Sequence, residues 1–374
     1  MGFPLSGYES WLKRIVRTDL PPEIFRQKPL RAMLALPLVL IILVGSFVLI
    51  KSFLPWYLAL VLSVLLGNFY GSLFFFGHEV AHGAVVRSKL VQDVILFPAF
   101  LIFCLSPHFW RAWHNVAHHA HTNIEGHDPD NFGTIELFNR TRFSRFIHHF
   151  APGSGSWVSY SFLFVFFTLH GQGVLWWNSQ HIDFPSLRKT RAAVETFLMI
   201  GFWIVLSVLV GLRATLFVVL IPMVVANAVI MSYIVTNHLL RPLTGVRDTL
   251  STTMSVSTLA IFDKLHFHFS HHVEHHLFPG LSTKYAPLVR ESLLRHAGNR
   301  YLMPSHLRSL QVLYQTPRIY DGWDRLVNPP SGQRVLIKDV EALLRVDRTA
   351  GYADDVIDSP DEASDPEYEF EKTF

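Results

Sequence analysis

Residues 110–131, WRAWHNVAHHAHTNIEGHDPDN, hold five histidines between positions 114 and 127: His114, His118, His119, His121 and His127. Core packing gives no reason for such a run, whereas neutral imidazole is a favoured ligand of iron, zinc and neighbouring metals. Two more clusters stand far away along the chain, His78 with His82, and His271 with His272, His275 and His276. Each cluster is incomplete alone, so the three read as one site assembled by folding. His78 and His82 are spaced i and i+4, which puts both rings on one face of a helix. His272, His275 and His276, at i, i+3 and i+4, share a face in the same way. His114 and His118 also share a face, while His119 is turned from His118 by about 100° on an ideal helix, towards a second metal. The same geometry nominates His121 at i+7. So many imidazoles exceed what one tetrahedral ion takes and suit a pair of ions.

The elements that must position these rings are apolar. Half of the 374 residues are hydrophobic, 31 of them Phe, and they fall in blocks that approach the roughly 20 residues needed to cross a bilayer. Segments 32–50 and 53–77 form a first hairpin around Lys51 and Ser52, and 194–211 and 214–235 a second around Leu212 and Arg213. Segment 94–105 is about a dozen residues long, too short to span, and reads as interfacial or re-entrant. Segment 157–177 contains His170, Gln172 and two glycines and leads into a loop with Arg188, Lys189 and Arg191. If it crossed, that basic loop would lie outside, so it reads as a surface or re-entrant element. The expectation is an all-α integral membrane protein: four transmembrane helices under a cytosolic, histidine-rich helical cap, within one membrane domain at 32–345. Residues 1–31, with Lys13, Arg14, Arg17, Arg26, Lys28 and Arg31, form a cytosolic lead-in. Residues 346–374 are an acidic tail expected to be disordered. Both termini and the active site fall on the cytosolic side, and the sequence does not say of which membrane. A net charge of +3 with no basic stripe gives no sign of nucleic-acid binding. Cys104 is the sole cysteine, which excludes an intramolecular disulfide, a CxxC motif and a cysteine-held iron–sulfur cluster. Largely polar residues precede the first apolar run, unlike a signal peptide.

HEVAH at 78–82, HNVAHH at 114–119 and HVEHH at 272–276 resemble the three histidine boxes of the membrane fatty acid desaturases, in order, separation and placement beside membrane hairpins. The resemblance covers roughly 68–285; each box alone is weak and the three together are specific. It implies two non-haem irons that use O2 as co-substrate, with two electrons, to take two hydrogens from a long acyl chain. It maps the ligating and catalytic histidines onto His78, His82, His114, His118, His119, His272, His275 and His276. It adds His238 in TNH, after the last span, as a ninth ligand, with Asn237 as a water-mediated helper. An oxidant able to attack an unactivated methylene must come from such a cofactor, since no side chain supplies one. The substrate would be a long-chain acyl lipid or acyl-CoA. With no HPGG haem motif, cysteine set or dinucleotide fingerprint, a separate donor of ferredoxin or cytochrome b5 type is implied. Ligand imidazoles need acceptors for their other ring nitrogen, for which Glu79, Asp128, Asp130, Asp263 and Glu274 are candidates. Trp110, Arg111, Trp113, Asn115 and Asn123 could line an acyl tunnel or bind a head group.

Blander readings hold elsewhere. His148, His149, His170, His181, His296 and His306 read as ordinary surface or core residues. So do His108, His127, His266 and His268, which match no box, while His121 and His271 stand between ligand and bystander. HEVAH is also the H-E-x-x-H of zinc proteases, a reading that leaves the other clusters idle. A metal transporter would keep its ligands inside the spans. The nearer competitor is a diiron hydroxylase or ketolase of an alkyl or lipid chain; the third box followed by LFP looks more like the desaturases.

Overall fold

The computed structural model describes residues 4–131, 133–177, 184 and 186–345. His181 and the acidic stretch 346–374 lie outside the described residues. Helix α1 (Gly7–Asp19) is amphipathic and capped by Ser6, whose hydroxyl accepts the Glu9 N–H at 3.0 Å. Two long apolar helices follow. α2 (Ala35–Lys51) continues a tight 3₁₀ lead from Pro29, and α3 (Trp56–Ala81) returns. The turn is longer than the expected Lys51–Ser52, because Pro55 cannot donate to a helix and starts α3 one residue later. α3 then runs on past 77, so His78 rides on its last turn and His82 caps it. Leu36, Leu40, Leu43, Val44 and Phe47 of α2 stay exposed, the surface a helix shows to lipid rather than to water.

α4 (Lys89–Phe100) and α5 (Pro107–His121) enter and leave through a bend of 99°. The bend follows from Pro107, which disfavours helix at the residue before it, and from Cys104, which adopts a left-handed φ of 50°. Both ends of this bent pair lie on the histidine side. α6 (Phe162–Trp176), with its 3₁₀ lead from Trp157, is long and apolar enough to cross a membrane, where the sequence suggested a surface or re-entrant element. Phe167 packs edge-on against Phe74, Thr168 and Asn227 exchange two 3.0 Å hydrogen bonds, and Tyr160 stacks on Tyr314.

From Lys189 to His238 the backbone is helical over 50 residues. A straight helix of that length would run about 75 Å, more than twice the roughly 30 Å bilayer core. Gly211 breaks it with a φ of 80°, a conformation that only glycine adopts without strain. Thr215 Oγ1 reaches the Ser207 carbonyl eight residues back at 3.3 Å, so the axis reverses into a hairpin of α7 (Lys189–Thr215) and α8 (Ile221–His238). The Arg213 guanidinium donates to the Leu54 carbonyl and ties the two hairpin tips together. Lower down, α3 and α8 touch through Gly67, where an added Cβ would lie 2.5 Å from Val225 Cβ; small residues let membrane helices approach this closely. Phe74 is the hub of the core beneath the site, meeting Phe75, Phe100, Phe103, Trp110 and Phe167 at ring-centroid distances of 4.9–5.9 Å.

The cap contains α9 (Ala260–Leu265), α10 (His272–Leu277), α11 (Ala286–His296), α12 (His306–Gln315) and α13 (Ile337–Arg345). Leu12, Val16 and Leu20 on or beside α1 join Val273, Leu277, Val289 and Leu293 in a second core. The all-α expectation needs one correction. β1 (Ile319–Tyr320), β2 (Arg325–Asn328) and β3 (Gln333–Leu336) form an antiparallel sheet in that order. Leu326 and Val327 of β2 are buried and pair with Val335 and Arg334 of β3; β-branched residues such as the two valines suit strands.

Candidate metal centre

Four elements carry the histidines: the end of α3, the middle of α5, the end of α8, and α10. The middle of α5 is wound as a π-helix from Arg111 to His118, with the His119 N–H bonding to the His114 carbonyl five residues back. Such wide turns favour functional sites, and this one aligns residues five apart rather than four. It reverses the expected pairing. His119, not His118, joins His114: the ligand nitrogens of His78, His82, His114, His119 and His275 all lie within 4.8 Å of one another. The Nε2 atoms of His78 and His114 are 2.8 Å apart, those of His114 and His119 3.2 Å, and those of His119 and His275 3.1 Å. His118 instead meets His238 and His276 in a second group, with His272 Nε2 2.9 Å from His238 Nε2. His114 and His118 stack at 5.1 Å and join the two groups.

Two imidazole nitrogens each about 2.1 Å from an ion lie about 3.0 Å apart at right angles and about 3.4 Å apart at the tetrahedral angle. The observed separations are of that size. The buried Nε2 atoms of His82 and His276 have no hydrogen-bond partner among the described residues, a costly arrangement unless something else takes their lone pairs. Burial, reinforced by neighbouring imidazoles, holds His272, His275 and His276 well below the ordinary histidine value. They are therefore neutral, the form that binds metal. The residues fit a pair of first-row ions, five histidines around one and four around the other.

Against the four-histidine group opens a cleft walled by Trp110, Trp113, Phe162, Phe166, Phe167, Met231, Ile234 and Phe269 and floored by His114, His118, His238 and His272. The family model described as fatty acid desaturase matches residues 54–308 of the chain, all three boxes included. The chain belongs to the fatty acid desaturase family. Given helices long and apolar enough to cross a bilayer, this desaturase-family chain is an integral membrane protein. It is 36% identical over 118 residues to a chloroplastic omega-6 fatty acid desaturase of Arabidopsis thaliana, 31% of this chain and 25% of that one. It is 32% identical over 118 residues to an sn-1 oleoyl-lipid 12-desaturase of a Picosynechococcus species, 32% of this chain and 33% of that one. Against the chloroplastic omega-6 desaturase of Spinacia oleracea it is 24% identical over 332 residues, 82% of this chain and 69% of that one. The chain thus spans only a quarter to a third of the first two relatives.

All eight box histidines and His238 come together in this desaturase-family fold. The expected acceptors divide. His118 Nδ1 donates to Asp128 at 3.0 Å and lies 3.2 Å from Asp130, whose carboxylate also accepts Trp113 Nε1 at 2.9 Å. Glu79 touches no ligand histidine: Arg31 donates to both its oxygens at 2.8 and 3.1 Å, and Ser282 and Thr283 donate at 2.7 and 2.9 Å. A carboxylate 1% exposed and engaged four times is not a general base, which removes the protease reading. Glu274 accepts from Ser255, Tyr301 and His271, and Asp263 from His268 and Ser270, none of them a box histidine.

Trp110 stacks on His114 at 4.4 Å and, with Trp113, lines the cleft. Arg111 instead pairs with Asp93, Asn115 donates to the Ala81 carbonyl at 2.8 Å, and Asn123 donates to the His238 carbonyl at 3.2 Å. These three hold the scaffold. His121 bonds the Ala117 carbonyl at 3.0 Å, and both it and His271 lie outside the two groups. Asn237 is buried, with neither side-chain atom partnered among the described residues. His170 was read as an ordinary residue, yet it lines the cleft and bonds Asp130 at 3.1 Å. No motif marks it; its polarity within an apolar run, beside Gln172 and two glycines, was the available signal.

Proposed function

We propose that this protein is an O2-dependent acyl-chain desaturase whose nine histidines hold two irons on the cytosolic face of the membrane. The observation that carries the reading is the meeting of two histidine groups, sized for a pair of ions, at the floor of a mostly aromatic and aliphatic cleft. His78, His82, His114, His119 and His275 would hold one iron, and His118, His238, His272 and His276 the other. When bound, the pair supplies, with O2 and two electrons from a separate ferredoxin or cytochrome b5-type donor, the oxidising power to remove two hydrogens from adjacent methylenes.

The chain's own residues do the rest. Phe162, Phe166, Phe167, Met231 and Phe269 exclude water and hold an extended acyl chain against the histidine floor. Asp128 and Asp130 fix the orientation of His118 through its Nδ1, with Trp113 and His170 steadying Asp130. The bilayer delivers the substrate, and the printed name of the Picosynechococcus relative, an oleoyl-lipid desaturase, supports an acyl chain carried on a lipid. Four crossings by α2, α3, α7 and α8 put the cap and the basic lead-in on the cytosolic side.

The test is expression in a host whose lipids are monounsaturated, followed by a membrane lipid profile with and without O2. A new O2-dependent double bond, absent in His118→Ala, is expected. Hydroxylated chains, or an unchanged profile from protein that carries two irons and has its donor, would overturn the reading.

A further inference from the structure

A second constellation of metal-binding type lies outside the nine-histidine centre, at the end of α9. Asp263, His268 and His271, in a D-x4-H-x2-H spacing, bring one ligand atom each to within 4.8 Å of one another. His268 Nδ1 is 2.7 Å and His271 Nε2 3.7 Å from the same Asp263 oxygen, separations that bracket the edges of a metal's coordination shell. The backbone is wound to make this happen. Phe267 and His268 both adopt left-handed φ, 53° and 55°, conformations that are strained for non-glycine residues and gather at functional sites. The His268 N–H closes back on the Asp263 carbonyl at 2.8 Å, and the His271 N–H on the His268 carbonyl at 3.0 Å.

The supports behind the three atoms match those of a ligand set. Ser270 Oγ orients the other Asp263 oxygen. His271 Nδ1 donates to Glu274 at 3.2 Å, and buried Glu274 is fixed by Ser255 and Tyr301 at 2.6 Å each. A carboxylate on the far nitrogen of a histidine is the arrangement that aims metal-binding imidazoles. Asp263 and His268 remain about one-fifth exposed, which leaves an entry and room for water as a further ligand.

We infer that Asp263, His268 and His271 form a separate site for a divalent transition ion, with zinc the best match to one carboxylate and two imidazoles. Binding takes His271 through the nitrogen that faces Asp263, while Nδ1 stays on Glu274. It also clamps the residue that leads into α10, and so the approach to His272, His275 and His276. The inference is independent of which reaction the nine-histidine centre performs.

The test is equilibrium dialysis of the iron-loaded, full-length protein in detergent against micromolar Zn2+, with zinc and iron counted per chain. Wild type is expected to take up one zinc with its iron unchanged. His268→Gln and Asp263→Asn are expected to hold that zinc about 10- to 100-fold more weakly, again with iron unchanged. Iron lost in step with zinc gained would place the zinc in the main centre and overturn the assignment. So would a His268→Gln protein that binds zinc as tightly as wild type. Protein that carries no iron would fail the desaturase reading alone, since the zinc difference between wild type and His268→Gln still tests this site.

Discussion

The two histidine groups are built on different principles. The five-histidine group relies on number. His82, His119 and His275 are only partly buried, and the Nδ1 atoms of His78 and His119 find no acceptor among the described residues. The four-histidine group relies on support: His118 leans on Asp128 and Asp130, and His238 Nδ1 and His276 Nδ1 lie 3.4 Å from the Thr252 carbonyl and Thr122 Oγ1. Only the second forms most of the cleft floor. The group with fewer histidines but tighter support faces the apolar chamber, and the group with more histidines is the more exposed. The contrast assigns positioning to one group and retention to the other.

The sharpest way to break that contrast is to remove a ligand from each side. His118→Ala is expected to abolish turnover and leave about one iron per chain, because His114 and four partners still surround the other position. His82→Ala, with four histidines left in its group, is expected to keep more of its metal; iron counts and Mössbauer spectra of both variants check this. Next in size is Glu79→Gln. It strands Arg31 without its counter-charge and should destabilise the protein by about 3–5 kcal/mol, read as a fall in Tm. The Arg31→Gln, Glu79→Gln double variant should recover much of that loss. Asp128→Asn keeps an oxygen but loses the charge, and should weaken metal retention in the four-histidine group about 10- to 100-fold in a chelator challenge, with the other group unaffected. The smallest effect lies outside both groups, where α1 meets α11. Hydrogen bonds from Ser292, then from Arg295 and His296, hold the Asp19 carboxyl at about 2 against an ordinary 3.8. Its folded value is depressed, so its contribution is present above about pH 4 and is lost as the pH falls through about 2. Asp19→Asn should flatten that part of the acid unfolding curve.

Much of the centre was legible because helical spacing is local. The i, i+4 pair on α3 and the i, i+3, i+4 set on α10 follow from residues a turn apart, whereas His238 came only from the resemblance to the desaturases. The exchange of His118 and His119 was not legible. Both α- and π-windings suit the letters RAWHNVAHH, and what packs around α5 lies elsewhere in the chain: Phe74 and Phe100 on Trp110, His170 on Trp113, and Asp130 accepting from Trp113. Glu79 misled for a similar reason, since its partners Arg31, Ser282 and Thr283 lie 48, 203 and 204 residues away. Both hairpins were visible as apolar blocks. The lie of α6 was not, because hydrophobicity measures length and composition and says nothing of which neighbours a helix crosses. The little sheet at 319–336 was missed because its two- to four-residue strands are too short to establish a period.

The link between Arg213 and the Leu54 carbonyl has a mechanical consequence. The hairpins are fastened to each other at the far tips by this contact, and at the near end by rings from α3, α5, α8 and α10 that converge on a shared centre. Fastened at both ends, neither hairpin can tilt or slide alone to suit a thinner or thicker bilayer, which is how single helices relieve hydrophobic mismatch. Replacing Arg213 would give the hairpins back their independent tilt.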